Sequence, residues 1–389
     1  MKILFIAPQP YFEERGTPIA VDLMLKALSE RGDEIDLLTF HIGKDRHYPG
    51  VTVMRSKPPL APASIPPGFS FKKAWCDVFL LRQAFRMVRA KRYDLIHAVE
   101  EASFIAMALG KVHRVPYVFD MDSSMALQLL SQFRWLRPAR GLLHWIEALP
   151  MRQAIAVVPM CEDLAIHARL CSRGIVRVLK DVSLISEPSD ESAEDLRREF
   201  GIEGPLLLYV GNLEYYQGIE LLFDSFVQVL GTHPDARLVV IGGRPRDVRK
   251  YGKRARLLRI DGSVHLTGPR PVAALGGYLK QADLLISPRI HGNNTPMKIY
   301  SYLDSGVAVV ATALPTHTQV MSESEAALTA PEPAAMAATI ARLLDDPQER
   351  ERLAQSAQSL IRREHSWPSF RKHVDLLFGE LEGRLEPSP

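Results

Sequence analysis

Between Ser287 and Thr312 the sequence reads SPRIHGNNTPMKIYSYLDSGVAVVAT, which gathers Arg289, His291, Gly292, Asn293, Asn294, Thr295 and Lys298 into one loop and helix start. Arginine offers a planar fork of donors and lysine a compact point charge, a combination suited to neutralising a diphosphate. A merely solvated turn has no use for Gly-Asn-Asn-Thr-Pro held between two cations. Two other strand ends have a similar character. YVGNLEYYQGIELL sets Gly211, Asn212, Gln217 and Gly218 in a turn before a helix, and ARLVVIGGR supplies Gly242, Gly243 and Arg244. Near the N-terminus, EERGTP places Gly16 just before Pro18 and another helix. Glycine lets a backbone approach a ligand closely, and a helix start offers free N–H groups to an anion. An ordinary strand-to-helix turn has the same composition, so each glycine signal gains its value from opening onto a common cleft.

The elements that must position these residues alternate along the chain. KILFIAP, EIDLLTF, VTVMR, DLIHAVE, PYVFDMD and AIAVVPM read as strands, with helical sequence interleaved. After the polar, acidic stretch SEPSDESAEDLRREFGIEGP the series restarts with LLLYVGN, ARLVVIGG, VHLTG, DLLISPR and GVAVVAT. Continuous apolar strands separated by helices imply parallel sheets covered on both faces. The expected organisation is two doubly wound domains, residues 1–185 and 204–367, joined by a linker at 186–203. Ligands of such sheets bind outside the carboxyl ends of the strands, so two facing domains would share one cleft. A length of 389 residues fits two to three domains at ~150 residues each.

Composition narrows the class. With 47% hydrophobic and 24% charged residues the chain is neither disordered nor coiled-coil, and no apolar run nears bilayer-spanning length. Pro8 and Pro10 make the N-terminus a core strand rather than a secretory signal. Cys76, Cys161 and Cys171 are odd in number and scattered, as in a reducing cytosol. A net charge of +3 is too small to imply nucleic acid by itself.

From RGTPIAV through YVGNLEYYQGIELL and IGG to PMKIYSYLDSGVAVVAT, the sequence resembles family 4 glycosyltransferases of the GT-B fold. The resemblance extends to HSW at 365–367, before a C-terminal helix at about 368–385 that in the family returns to the N-terminal domain. It implies two facing Rossmann-like domains with mostly parallel sheets. The C-terminal one would hold a nucleotide sugar and the N-terminal one the acceptor. By position, Gly16 matches the glycine loop near the donor phosphate. His291, followed by Gly292, stands at the first glutamate of the family's paired-glutamate motif, and Ser301 at the second. Asn212 and Gln217 stand where many members have an Arg and a Lys for the diphosphate. Both glutamates and both usual cations are therefore replaced, and Arg289 and Lys298 are the expected compensating ligands. Asp122 matches a histidine near the sugar, with Asp120 beside it. A carboxylate there can accept a hydroxyl hydrogen bond, and equally can cap the following helix. Glu100 and Glu101 are further acceptor-side candidates, while His41 and His97 read as packing residues.

The resemblance implies a hexosyl-type transfer from a nucleoside diphosphate sugar to a hydroxyl acceptor, with retention and without a required metal. Asp120-Met121-Asp122 has metal-ligand spacing but falls on the acceptor side, so no metal site is expected. The rivals are an epimerase or hydrolase on the same fold, and a non-catalytic nucleotide-sugar-binding subunit. FKKAWCDVFLLRQAFRMVRAKR, from Phe71 to Arg92, reads as a helix with an apolar core stripe of Val78, Leu81, Phe85 and Val88. Trp75 and Phe79 adjoin Arg82, Arg86 and Arg89. Such a face suits either solvent or an anionic membrane surface, helped by Ile65 and Phe69 in the preceding loop. The corresponding expectation is a cytoplasmic enzyme docked peripherally, with a lipid-linked glycan or polysaccharide precursor as acceptor.

Overall fold

The computed structural model describes residues 1–13, 16–65, 70–185, 193–292 and 294–385. The chain forms two α/β units, Met1–Lys180 with Arg371–Pro389, and Asp181–Phe370. In the first, the strands are β1 (Lys2–Ala7), β2 (Glu34–Thr39), β3 (Val51–Arg55), β4 (Leu95–Val99), β5 (Tyr117–Met121), β6 (Ala156–Pro159) and β7 (Ile175–Val176). They pair in the order β3-β2-β1-β4-β5-β6-β7, all parallel. In the second, the strands are β8 (Leu206–Val210), β9 (Arg237–Ile241), β10 (Val264–Gly268), β11 (Leu284–Ser287), β12 (Val309–Thr312) and β13 (Ala327–Thr329). Their order is β10-β9-β8-β11-β12-β13, again all parallel. The two-residue β7 and three-residue β13 lie outside the expected strands, being too short to show a pattern.

Strand order reverses direction at β1/β4 and at β8/β11. Successive crossovers leave such a switch point in opposite directions and open a crevice at the carboxyl ends of the two strands. The side chains of the second sheet alternate between two separate cores, as a period of two requires. Leu207, Tyr209, Leu238, Val240, Leu284, Ile286 and Val310 meet the helices Ile219–Val229 and Pro333–Asp345 on one face. On the other face, Leu206, Leu208, Val239, Ile241, Leu285 and Val309 meet Lys298–Asp304 and Pro347–Glu364.

Three expectations need correction. The linker at 186–203 is described from residue 193 onward, and there it belongs to the second unit. Its short helix Leu196–Phe200 buries Leu196, and Arg197 reaches Asp283 at 2.7 Å. On the helix Phe71–Ala90 the core side is Cys76, Leu80, Ala84 and Met87, while Val78 is 57% and Leu81 36% exposed. Phe85 and Val88 are partly buried against that core. Ile65, expected at the surface, is buried, and Phe69 lies outside the described residues. Among the described residues no helix is long and apolar enough to cross a membrane.

The final helix, Trp367–Leu385, joins the first unit from Arg371 onward. Val374, Leu377, Phe378 and Leu381 are buried, Arg31 pairs with Glu382, and Arg177 meets Glu380 at 3.0 Å.

Candidate active site

In the second unit the residues singled out by sequence collect at the carboxyl ends of β8, β9 and β11. The turns after β8 and β9 touch through glycine. Gly242 has φ +115°, and a Cβ there would lie 2.2 Å from the Gly211 carbonyl oxygen. Gly243 packs against Leu213, and Gly211 donates its N–H to Ile241 at 3.0 Å. Gly218, with φ +73°, abuts the Pro288 carbonyl so closely that a Cβ would come within 1.9 Å. That approach locks the Tyr215–Gln217 turn onto the loop that follows β11, and Ile290 N–H completes it by donating to Tyr216 O at 2.9 Å.

Lys298 opens the next helix and its ammonium sits over the Tyr209 ring, 3.8 Å from the centroid. It donates to Gln217 Oε1 at 3.3 Å. Tyr302, one turn along the same helix, lies 5.9 Å from the ammonium and accepts from Val210 N–H at 2.6 Å. Arg289 is 6% exposed, and it donates to the His291 carbonyl at 2.8 Å and to Asn294 Oδ1 at 3.0 Å. Its guanidinium also lies 5.1 Å from the Tyr216 ring. Neither cation meets a carboxylate among the described residues. Burial, and then the charge of Arg289, holds the Lys298 ammonium well below the usual lysine range. Two partly desolvated cations without a counter-ion are costly unless an anion joins them.

Other positions vary in their availability. The Thr295 hydroxyl is buried without a hydrogen-bond partner among the described residues. Gly292 packs against the Arg289 guanidinium, and Asn293 lies outside the described residues. His291 is exposed, with its ring 6.0 Å from that of Tyr215. Asn212 turns back to accept Glu214 N–H at 3.2 Å. Arg244 is exposed and already paired with Glu214 and, at 2.8 Å, with Asp247. Ser301 is fully buried, its Oγ accepting Leu184 N–H at 3.1 Å. A floor that sequence reading missed lies behind the cations. His317 Nδ1–H donates to Thr312 O at 2.8 Å and its Nε2 accepts from Ser287 Oγ at 2.9 Å. Burial lowers His317 to about 4, so it is neutral and adds no positive charge to the pair.

In the first unit, Gly16 begins the helix Gly16–Arg31, and Glu14 and Arg15 before it lie outside the described residues. Asp122 is 8% exposed just beyond β5. The cap of the next helix, Met125–Gln132, is Ser124 rather than Asp122, with Ser124 Oγ accepting Leu127 N–H at 3.2 Å. His97 is a packing residue as expected, stacked on Phe5 at 4.4 Å and bonded to Asp120 at 2.9 Å. Glu100, beyond β4, has a left-handed φ of 52° and accepts from Ser123 Oγ at 2.8 Å. Lys73 pairs with the adjoining Glu101. Burial, reinforced by the Glu101 charge, pushes both Glu100 and Asp77 up to about 8.

That shift has a direct consequence for stability. Unfolded, the two carboxyls titrate at the ordinary 4.5 and 3.8, so the folded state binds their protons more tightly. Their contribution is complete below those values and is lost as pH rises through about 8. The first unit is expected to unfold at lower urea at pH 9 than at pH 6, and Glu100→Gln should flatten the slope. Tryptophan fluorescence reports mainly on this unit, which holds Trp75, Trp135 and Trp145, and a Trp367→Phe background removes the one tryptophan of the second unit. Equal slopes for wild type and variant would exclude Glu100 as a source.

Two family models match the chain, Glycosyl transferase 4-like domain over residues 15–178 and Glycosyl transferases group 1 over residues 192–360. Together they take in most of both units, and the chain belongs to the family 4 glycosyltransferases, enzymes of the GT-B fold. It is 27% identical over 209 residues to a D-inositol 3-phosphate glycosyltransferase of Corynebacterium efficiens, a match covering 51% of this chain and 49% of the relative. The chain thus spans about half the length of that relative. An alpha-D-kanosaminyltransferase of Streptomyces kanamyceticus is 23% identical over 78% of this chain and 82% of its own. Among solved structures, sucrose-phosphate synthase from Thermosynechococcus elongatus superposes with a TM-score of 0.81 at 20% identity, covering 98% of this chain and 99% of that one. Anabaena HepE, solved with UDP-glucose, gives 0.75 at 17% identity, covering 98% of this chain and 100% of its own. These likenesses concern the fold.

Proposed function

We propose that the enzyme transfers a glycosyl group from a nucleoside diphosphate sugar to a hydroxyl acceptor, with retention of configuration. The observation that carries this reading is the pair Arg289 and Lys298, partly desolvated at a strand switch point with no carboxylate beside them among the described residues. A diphosphate supplies the missing charge, with the Thr295 hydroxyl and the Gly211 and Gly243 turns approaching it. The anomeric carbon–oxygen bond to the diphosphate breaks and a bond to the acceptor oxygen forms on the same face. The leaving diphosphate takes the acceptor proton. Arg289 and Lys298 stabilise its growing negative charge, a role metals fill elsewhere, so no metal is required at the diphosphate. HepE's complex makes UDP-sugars the first donors to try.

The test is a thermal-shift panel of nucleoside diphosphate sugars, followed by turnover and assignment of the product anomer. A ligand at 100 times its dissociation constant adds ~2.7 kcal/mol of stability. No stabilisation by any donor would refute the site. Release of free sugar, or of an epimer, without acceptor would indicate a hydrolase or an epimerase instead.

For the acceptor, the helix Phe71–Ala90 points to a lipid-linked glycan presented at an anionic, cytoplasmic membrane face. Arg82, Arg86 and Arg89 are exposed on it together with Trp75, Val78 and Leu81. Cationic side chains near such a surface contribute ~1 kcal/mol each. Co-sedimentation with anionic but not neutral vesicles is expected, and should vanish when the three arginines become glutamate. Absence of binding to both vesicles at low salt would favour a soluble acceptor.

A further inference from the structure

Away from the cationic loop, three ligating side chains of the first unit converge on one point. His144 and Glu147 lie one turn apart on the helix Arg140–Gln153, and His167 comes from the helix Glu162–Cys171. One ligand atom from each lies within 4.8 Å of the others. His167 Nε2 is 3.5 Å and His144 Nδ1 3.8 Å from the same Glu147 oxygen, Oε2. Those separations exceed a normal hydrogen bond. Both nitrogens are sealed from solvent and have no hydrogen-bond partner among the described residues. Glu147 itself is 2% exposed.

We propose that His144, Glu147 and His167 bind a zinc-class divalent cation. Ligands held ~2.0–2.1 Å from a tetrahedral metal lie ~3.3 Å from one another, so the two histidine–carboxylate separations need to close by only a few tenths of an ångström, while the two histidine nitrogens start within 4.8 Å of each other. Two imidazoles and one carboxylate suit zinc or its neighbours rather than magnesium or calcium, which take oxygen ligands. An ion-pair network accounts for the arrangement less well. Both nitrogen–oxygen separations are long for a hydrogen-bonded ion pair, whereas a cation at that point engages all three ligand atoms at once.

The remaining contacts of Glu147 are those of an oriented ligand. Its Oε1 accepts from Ser124 Oγ at 2.9 Å and from Ala126 N–H at 3.2 Å, and Oε2 accepts from the same Ser124 hydroxyl at 3.0 Å. Partners of this kind fix a ligand's direction and tune its affinity. Ser124 stands two residues after Asp122 and caps the helix Met125–Gln132. The bound cation therefore braces the turn after β5 that carries Asp122. It is a structural ion on the first unit, separate from the diphosphate chemistry and independent of the transfer reading.

The test uses the full chain, stripped with EDTA and titrated by calorimetry with Zn²⁺, Co²⁺ and Mg²⁺ in turn. One Zn²⁺ per chain is expected, Co²⁺ should give the intense visible absorption of a four-coordinate site, and Mg²⁺ should give no heat. The double variant His144→Ala/His167→Ala should lose Zn²⁺ affinity by more than ~100-fold. Ser124→Ala keeps all three ligands and should cost ~10-fold. If circular dichroism shows the double variant unfolded, His167→Ala alone carries the comparison, since its ring is partly exposed. Equal Zn²⁺ affinity in wild type and the folded histidine variant, or no Zn²⁺ binding by wild type, would overturn the proposal.

Discussion

Replacing Lys298 with alanine is expected to weaken donor binding by tenfold or more. A charge-assisted hydrogen bond contributes ~1.5–3 kcal/mol, and Lys298 has few neighbours to share the work. Its control is Lys250→Ala, since Lys250 is 56% exposed and already paired with Glu220 at 3.1 Å. The second signature is pH dependence. Burial and Arg289 depress the Lys298 pKa in the free enzyme, and a diphosphate raises it again, so at pH values between the free and bound pKa binding takes up a proton. Donor affinity should therefore fall as pH rises through the depressed value, and the fall should disappear in Lys298→Ala. Calorimetry in buffers of different ionisation enthalpy measures the proton directly. Equal dissociation constants for wild type and Lys298→Ala would remove this residue from the site.

Gly242→Ala is expected to destabilise the second unit by about 2–4 kcal/mol, combining a left-handed backbone with a steric collision. The added methyl would meet the Gly211 carbonyl at 2.2 Å, and that neighbour is backbone, which cannot rotate away. The turns after β8 and β9 must then part, so donor affinity should fall together with stability. Hydrogen exchange resolves the effect by unit: amides of β8 and β9 should lose protection while those of β1 and β4 keep theirs. Unchanged protection throughout would show that the contact between the turns is not needed.

The sheets were legible in the sequence because their strands are buried on both faces and read as unbroken apolar runs. The helix Phe71–Ala90 shows where that reasoning stops. Its inner face is built from Cys76, Ala84, Leu80 and Met87, and small residues let the helix sit close to the sheet while carrying little hydrophobic weight. The larger Val78 and Leu81 drew attention to the wrong side. The loop around Arg289 and Lys298 stood out by composition, yet the aromatic shell of Tyr209 and Tyr302 did not. Tyr302 was accessible in principle, four residues after Lys298 and so on the same helical face. Ser301 illustrates a different limit. Its partner Leu184 is remote in sequence, and no local pattern marks a hydroxyl engaged across that separation. The meeting of His144 and Glu147 with His167 is hidden in the same way, since it depends on how two helices pack.

The last helix bears on how the protein comes into being. Phe378 lies 6.0 Å from His97, deep within the first unit, although the chain has crossed the entire second unit before reaching it. During synthesis the first 180 residues emerge with the seat of that helix uncovered, exposing apolar surface around His97 until the helix beginning at Trp367 has itself been made. The second unit, contiguous in the chain, has all its parts earlier. The N-terminal half would thus be the later of the two to mature, and the one with the greater need of a chaperone on the ribosome. A fragment ending at Lys180 should accordingly aggregate when expressed alone and recover solubility when a peptide spanning 367–385 is supplied in trans.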